Sequence, residues 1–239
     1  FTPRDAIGAG GLGMRSDDKR PNFVKTREFA EITYTRLVKR WNAEHSQANI
    51  WFVGGVGPVR GNDFTATRTL WAPEETDKVF EQIADQDFLL HHPFDSFTSV
   101  ETFLRAAVQD PQVIAIKITL YRIGANSPLV DLLIEAADQG KQVAVLVELK
   151  ARFDERNNIA WANRLESAGI HVVYGLMNLK VHCKLCLVVR QEADGIRRYA
   201  HVATGNYNRV TSQVYTDLGL FTADENILDD VMEVFNSLT

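Results

Sequence analysis

The chain has 239 residues, 45% of them hydrophobic, enough to bury a sizeable core as one large domain or two small ones. A formal net charge of -5 excludes a global basic field of the kind that advertises nucleic-acid binding, so any anion site has to be local. Two cysteines are too few for a disulfide framework and fit a reducing compartment, and the longest apolar runs are strand-length, far short of a membrane span.

The first residues, FTPRDAIGAGG, lack the basic start and apolar block of a signal peptide, and without an initial Met the chain reads as a piece of something longer. Turn residues are dense up to residue 13 and again in VGGVGPVRGND, 53–63. Between them NFVKTREFAEITYTRLVKRWNAEH predicts one helix, with Ala30, Tyr34, Leu37, Val38 and Trp41 at helical spacing. Residues 1–86 are otherwise an unassigned N-terminal segment, and a domain is expected over 87–239. In that domain QVIAIKITLYR, 112–122, predicts a strand. SPLVDLLIEAADQG predicts a helix with Ser127 as N-cap, Pro128 in its first turn and Gly140 just past its end. QVAVLVELKAR is a second strand, ERNNIAWANRLESAG a helix closed by Gly169, and HVVYG a third strand. Alternation of this kind predicts right-handed βαβ units and a parallel sheet covered on both faces. The rhythm then changes. GLMN is a short connection into LKVHCKLCLVVR, and EADG a turn into RRYAHVATGNYN, so antiparallel neighbours are expected, the first beside the third strand. A helix, DENILDDVMEVFNSL, ends the chain.

Polar residues collect where these strands end. Arg122 and Arg152 close the first two strands, where an open parallel sheet binds its ligands. His182 and Lys184, two apart near the start of the fourth strand, point to one face. Asn206 and Asn208 repeat that spacing in TGNYN, 204–208, where Gly205 lets backbone approach a ligand closely. Such a set suits phosphate: imidazole as nucleophile, ammonium against equatorial charge, guanidinium groups gripping oxygens in pairs. Each residue also has a plainer reading. His182 could be a hydrogen-bonded core histidine, the arginines could pair with Glu148, Asp154 or Glu155, and HVATGNYN could be a turn. Lys184 resists this, because a lysine in an apolar strand needs a partner or an anion. Their convergence on one rim favours an anion site.

Cys183 and Cys186, three apart in a strand, face opposite ways and read as packed core thiols. His91, His92 and Asp95 in LLHHPFDSF could ligate a metal, but loop-shaping hydrogen bonds are the simpler reading, and His171 and His201 read as structural.

LLHHPFDSF, IKITLYR, VELKARFDERNNIAWANRLESAG, LKVHCKL and RYAHVATGNYN followed by YTDLGLFT closely resemble the long, multidomain polyphosphate kinase family of bacteria, from about residue 86 to the end. The resemblance implies a mixed sheet of phospholipase D-like fold flanked by helices, the first of two such catalytic domains. It implies ATP-dependent, reversible extension of inorganic polyphosphate, with His182 as the phosphorylated histidine. Arg122 and Arg152 match the family's magnesium and phosphate positions. Arginine has no lone pair to give a metal, so both are read as gripping phosphates that carry Mg²⁺. Tyr215 matches a nucleotide-contacting tyrosine. ATP or ADP and polyphosphate are the expected partners, without nucleic acid. A cytoplasmic place is expected, with membrane association and assembly of the full-length enzyme into a homo-oligomer left open. Residues before about 85 match none of the family's N-terminal signatures apart from FTPR, and these 239 residues are expected to hold the first catalytic domain without the second. A phospholipase D-type phosphodiesterase or nuclease is the alternative, although LCLVVR after Lys184 lacks the Asp that its motif normally carries. A non-catalytic polyanion-binding fragment is the other alternative.

Overall fold

A computed structural model describes residues 68–121, 123, 127–148, 155–175 and 181–238. The helix expected over 22–45 lies outside the described residues, as do Arg122 and Arg152. In chain order the elements are α1 (Val79–Asp85), β1 (Phe88–His92), α2 (Thr98–Gln109), β2 (Val113–Leu120), α3 (Pro128–Asp138), β3 (Gln142–Val147) and α4 (Glu155–Ser167). They continue with β4 (His171–Tyr174), β5 (Lys184–Glu192), β6 (Gly195–Ala203), α5 (Arg209–Ser212), β7 (Asp217–Thr222) and α6 (Glu225–Leu238).

The central elements form where local chemistry demands. Ser127 is extended at the N-cap of α3, Pro128 opens the helix, and Gly140 stops it at φ +84°. Gly169 ends α4 the same way at φ +76°. β2 and β3 run parallel, as do β3 and β4, so α3 and α4 are the expected crossovers.

The seven strands form one sheet in the order β1-β7-β6-β5-β2-β3-β4. This corrects one expectation. The strand after GLMN does not return beside β4; β5 lies antiparallel to β2, on the other side of the parallel strands. The reason is burial. Leu185, Cys186, Leu187 and Val188 alternate between faces and are all buried, which needs a central position. β4, with His171 and Tyr174 exposed, tolerates the edge. The EADG hairpin between β5 and β6 forms as expected.

Each sheet face has its own core. Ile116, Ile118, Leu120, Val145, Val147, Cys186, Val188 and Phe221 join one cluster with the buried residues of α1 to α4. On the other face Leu185, Leu187, Val202 and Leu220 pack with Ile227, Leu228, Val231 and Phe235 of α6. Fully burying a side chain of this size contributes about 1.5–3 kcal/mol, so α6 is secured by its apolar face. Packing begins well before residue 87. Trp71 meets Phe88 and Phe221 edge-on at centroid distances of 5.6 and 5.0 Å, and Phe80 meets Phe103 at 5.8 Å. Among the described residues no helix is long and apolar enough to cross a membrane.

Candidate phosphate site at the strand-end rim

Strand directions bring one set of ends together. The carboxyl ends of β1, β2, β3, β4 and β6 and the amino ends of β5 and β7 share a rim. Tyr121, Glu148, Lys184, Thr204 and Asp217 therefore stand on it. His182 reaches it from the segment that enters β5, two residues ahead of the strand.

His182 and Lys184 are in direct contact. The Lys184 ammonium lies 2.7 Å from His182 Nδ1 and 3.1 Å from Nε2, and donates to the His182 carbonyl at 2.5 Å. Tyr121 supports both: its ring meets the imidazole edge-on at 4.8 Å, and the ammonium lies 5.1 Å from the ring centroid. Lys184 is only 3% exposed, whereas His182 is half-buried and so open to a ligand. A positive charge is thus held beside an accessible imidazole, the arrangement a phosphoryl group needs on arrival.

Asp217 completes the electrostatics. Burial pushes its carboxyl above the ordinary range, against hydrogen bonding from Thr204 and the charges of Lys184 and His91, which pull it down. Thr204 Oγ1 donates to Asp217 Oδ1 at 2.8 Å. Gly205 is needed at this point, because a Cβ there would lie 2.6 Å from Asp217 Oδ2. β7 thus delivers a buried acid to the same rim.

The loop after β6 carries the two asparagines. Asn206 is half-buried, with its Oδ1 enclosed and unpartnered. Asn208 caps α5, its Oδ1 accepting from Val210 N at 3.0 Å and Thr211 N at 3.2 Å, so its carbonyl is committed to the backbone. Between them Tyr207 is buried and reaches down to His201, hydroxyl to Nδ1 at 3.0 Å. Burial drives the His201 ring down to about 3, with the neighbouring His92 adding in the same direction. Gly219 leaves room for that ring, since a Cβ there would meet His201 Nε2 at 2.5 Å. His201 is thus buried within the sheet, bonded to Tyr207.

Tyr215, 38% exposed, precedes β7 and is displayed toward solvent, its N–H donating to Thr211 O. Around LLHHPFDSF, Asp95 accepts from the His91 N–H at 2.7 Å and from Arg68 Nε at 2.6 Å, and His92 Nδ1 donates to the Asp95 carbonyl at 2.7 Å. These bonds shape the loop. Among the described residues no group of three or more His, Cys, Asp or Glu side chains could hold a metal ion.

Both cysteines are free thiols. Burial pushes Cys183 up to about 11 and Cys186 up to about 12, far from a reactive thiolate. Replacing Cys183 with Ala and Cys186 with Val is expected to leave tripolyphosphate binding within about twofold of the parent, since hydrophobic swaps of similar volume are tolerated best. A large loss of binding, or of bound zinc, would contradict it.

His182, Lys184 and the TGNYN loop stand at the rim where the sequence placed them; Tyr121 and Asp217 stand there too and were not singled out, although both sit inside quoted motifs. The available signal for Asp217 was an acid heading an otherwise apolar run, DLGLFT.

The class is an α/β domain whose mixed sheet carries a histidine–lysine pair at its strand-end rim. A family model described as polyphosphate kinase C-terminal domain 1 matches residues 78–239, and the chain belongs to that family. The polyphosphate kinase of Mycolicibacterium gilvum is 56% identical over 176 residues, 73% of this chain and 24% of that protein. That of Streptomyces coelicolor is 59% identical over 162 residues, 67% of this chain and 22% of that protein. Among solved structures, the polyphosphate kinase of Porphyromonas gingivalis aligns with TM-score 0.59 and 39% identity, covering 66% of this chain and 26% of that one. The chain thus spans about a quarter of the length of these relatives.

Proposed function

We propose that this chain is a catalytic domain of an ATP-dependent polyphosphate kinase and that His182 carries the phosphoryl group. The observation that carries the reading is the Lys184 ammonium 2.7 Å from the His182 ring, at a strand-end rim, in a chain of this family. A ring nitrogen of His182 attacks the γ-phosphorus of ATP. The P–N bond forms as the bond from γ-phosphorus to the bridging oxygen breaks, and ADP leaves with that oxygen's electron pair. A terminal oxygen of polyphosphate then attacks the phosphohistidine, the P–N bond breaks, and the chain is one phosphate longer. Both steps run in reverse.

Lys184 neutralises equatorial charge in both transfers. Arg122 and Arg152, outside the described residues, would grip phosphate oxygens. Asn206 would donate to them, and Asn208, the other asparagine of the proposed site, would hold the loop that presents it. Tyr215 would face the nucleotide. Mg²⁺ would arrive bound to phosphate oxygens. ATP or ADP and polyphosphate are the partners, a cytoplasmic place suits them, and assembly into a homo-oligomer belongs to the whole protein. Phosphodiesterase action would load His182 from a phosphodiester and not from the γ-phosphate of ATP, and anion binding without turnover would not load it at all.

The test uses the protein made from the complete reading frame. Incubation with γ-labelled ATP and Mg²⁺ should give acid-labile label that maps to the His182 peptide and is absent from His182→Ala. Full label in that variant would overturn the assignment.

A further inference from the structure

On its β6 side Lys184 pairs through the main chain with Ala203, whereas on the β2 side the His182–Lys184 segment is held by side chains. The main-chain ladder between β2 and β5 ends at Ile118 and Cys186. Beyond it the Thr119 hydroxyl takes over, using both its donor and its acceptor capacity. Its Oγ1 donates to Cys183 O at 2.8 Å and accepts from Leu185 N at 3.0 Å, one bond on each side of Lys184. One residue before His182, the Val181 N–H donates to Glu148 Oε2 at 2.9 Å. Thr119 and Glu148 are 2% and 4% exposed, and the bonds from Leu185 N and Val181 N are buried away from water. Asn158, fully buried on α4, fixes the strand ends beneath. Its Nδ2 donates to Tyr121 O at 2.7 Å and to Glu148 O at 3.0 Å.

We infer that Thr119 and Glu148 are positioning residues that set where His182 and Lys184 stand, with Asn158 fixing the strand ends they work from. The inference rests on the phosphate-site reading above. Its physical basis is the parting of β2 and β5 at the rim. A continued main-chain ladder would keep 181–183 flat against β2. A hydroxyl bridge lets the segment leave the sheet, so that imidazole and ammonium converge over Tyr121. Deleting the hydroxyl frees Cys183 O and Leu185 N together, so the β2 side no longer fixes the segment that carries imidazole and ammonium.

The experiment compares the chain with Thr119→Val, which is nearly isosteric, and Thr119→Ser, which restores the hydroxyl. The thermal midpoint of each protein is measured first, and the affinity for tripolyphosphate and the NMR titration midpoint of the His182 ring are then measured well below it. Thr119→Val should weaken tripolyphosphate about tenfold, as small misplacement of a binding group does, and should move the His182 titration. Thr119→Ser should return both to the parent values. A merely structural threonine would lower the thermal midpoint and leave the ring titration in place, and that outcome overturns the inference. Should Thr119→Val fail to fold, Glu148→Leu against Glu148→Gln makes the same comparison, because glutamine keeps an acceptor for Val181. If tripolyphosphate leaves the parent His182 signals unmoved, the phosphate-site reading fails. The ring titration still decides whether Thr119 positions His182.

Discussion

Replacing Lys184 with methionine is expected to cost at least about a hundredfold in phosphoryl transfer to His182, the usual scale for removing one preorganised charge from a transition state. The side chain keeps its length and apolar stem, so the fold should survive. What disappears is the cation on the His182 ring and the Tyr121 face. A second consequence follows at Asp217. Lys184 holds that buried carboxyl down, so without it the carboxyl should titrate higher. Lysine to arginine is no conservative rescue, because a planar guanidinium would have to replace a compact ammonium that touches the His182 ring and carbonyl at once. The measurement is single-turnover labelling from γ-labelled ATP in the complete protein, with tripolyphosphate affinity alongside. Labelling at the parental rate in Lys184→Met would remove Lys184 from the mechanism.

Acid should destabilise the domain through His201. Burial holds its ring neutral down to about 3, against an ordinary value of 6.5. Below 6.5 the unfolded chain takes up a proton that the folded chain refuses, so the unfolded state binds more protons and stability falls with pH until about 3. Between neutrality and pH ~4.5 this group alone is worth on the order of 2–3 kcal/mol, at ~1.4 kcal/mol per unit. Asp217 acts in the opposite sense, since its raised carboxyl favours the folded state in acid, and His92 acts in the same sense as His201. The difference between two proteins isolates His201. Urea unfolding at neutral pH and at about 4.5 should show a smaller acid loss in His201→Gln than in the parent. Equal losses would mean that the ring is not held neutral by burial. The same variant releases Tyr207, so the Asn206 loop should loosen in amide exchange.

Local chemistry made much of this domain legible. Gly140 and Gly169 terminate helices because the chain turns left-handed there, and Pro128 opens one because its missing N–H costs nothing in a first turn. The apolar strands required a covered sheet, and the H-x-K pair announced itself because a lysine cannot stay in an apolar run without something to hold its charge. Motifs resembling a known family, LKVHCKL and ATGNYN above all, pointed to the same residues. Other features depend on which strands become neighbours, a matter of burial summed over both faces. GLMN looked like a hairpin connection because it is short, yet β5 is apolar on both sides and takes a central place against β2. The core reaches back to Trp71 because Phe88 and Phe221, far apart in sequence, offer it a pocket. Tyr121, Asp217, Glu148 and Thr119 look ordinary along the chain. They acquire their parts at the rim from strand directions and from the point where β2 and β5 separate, long-range pairings that no local window contains.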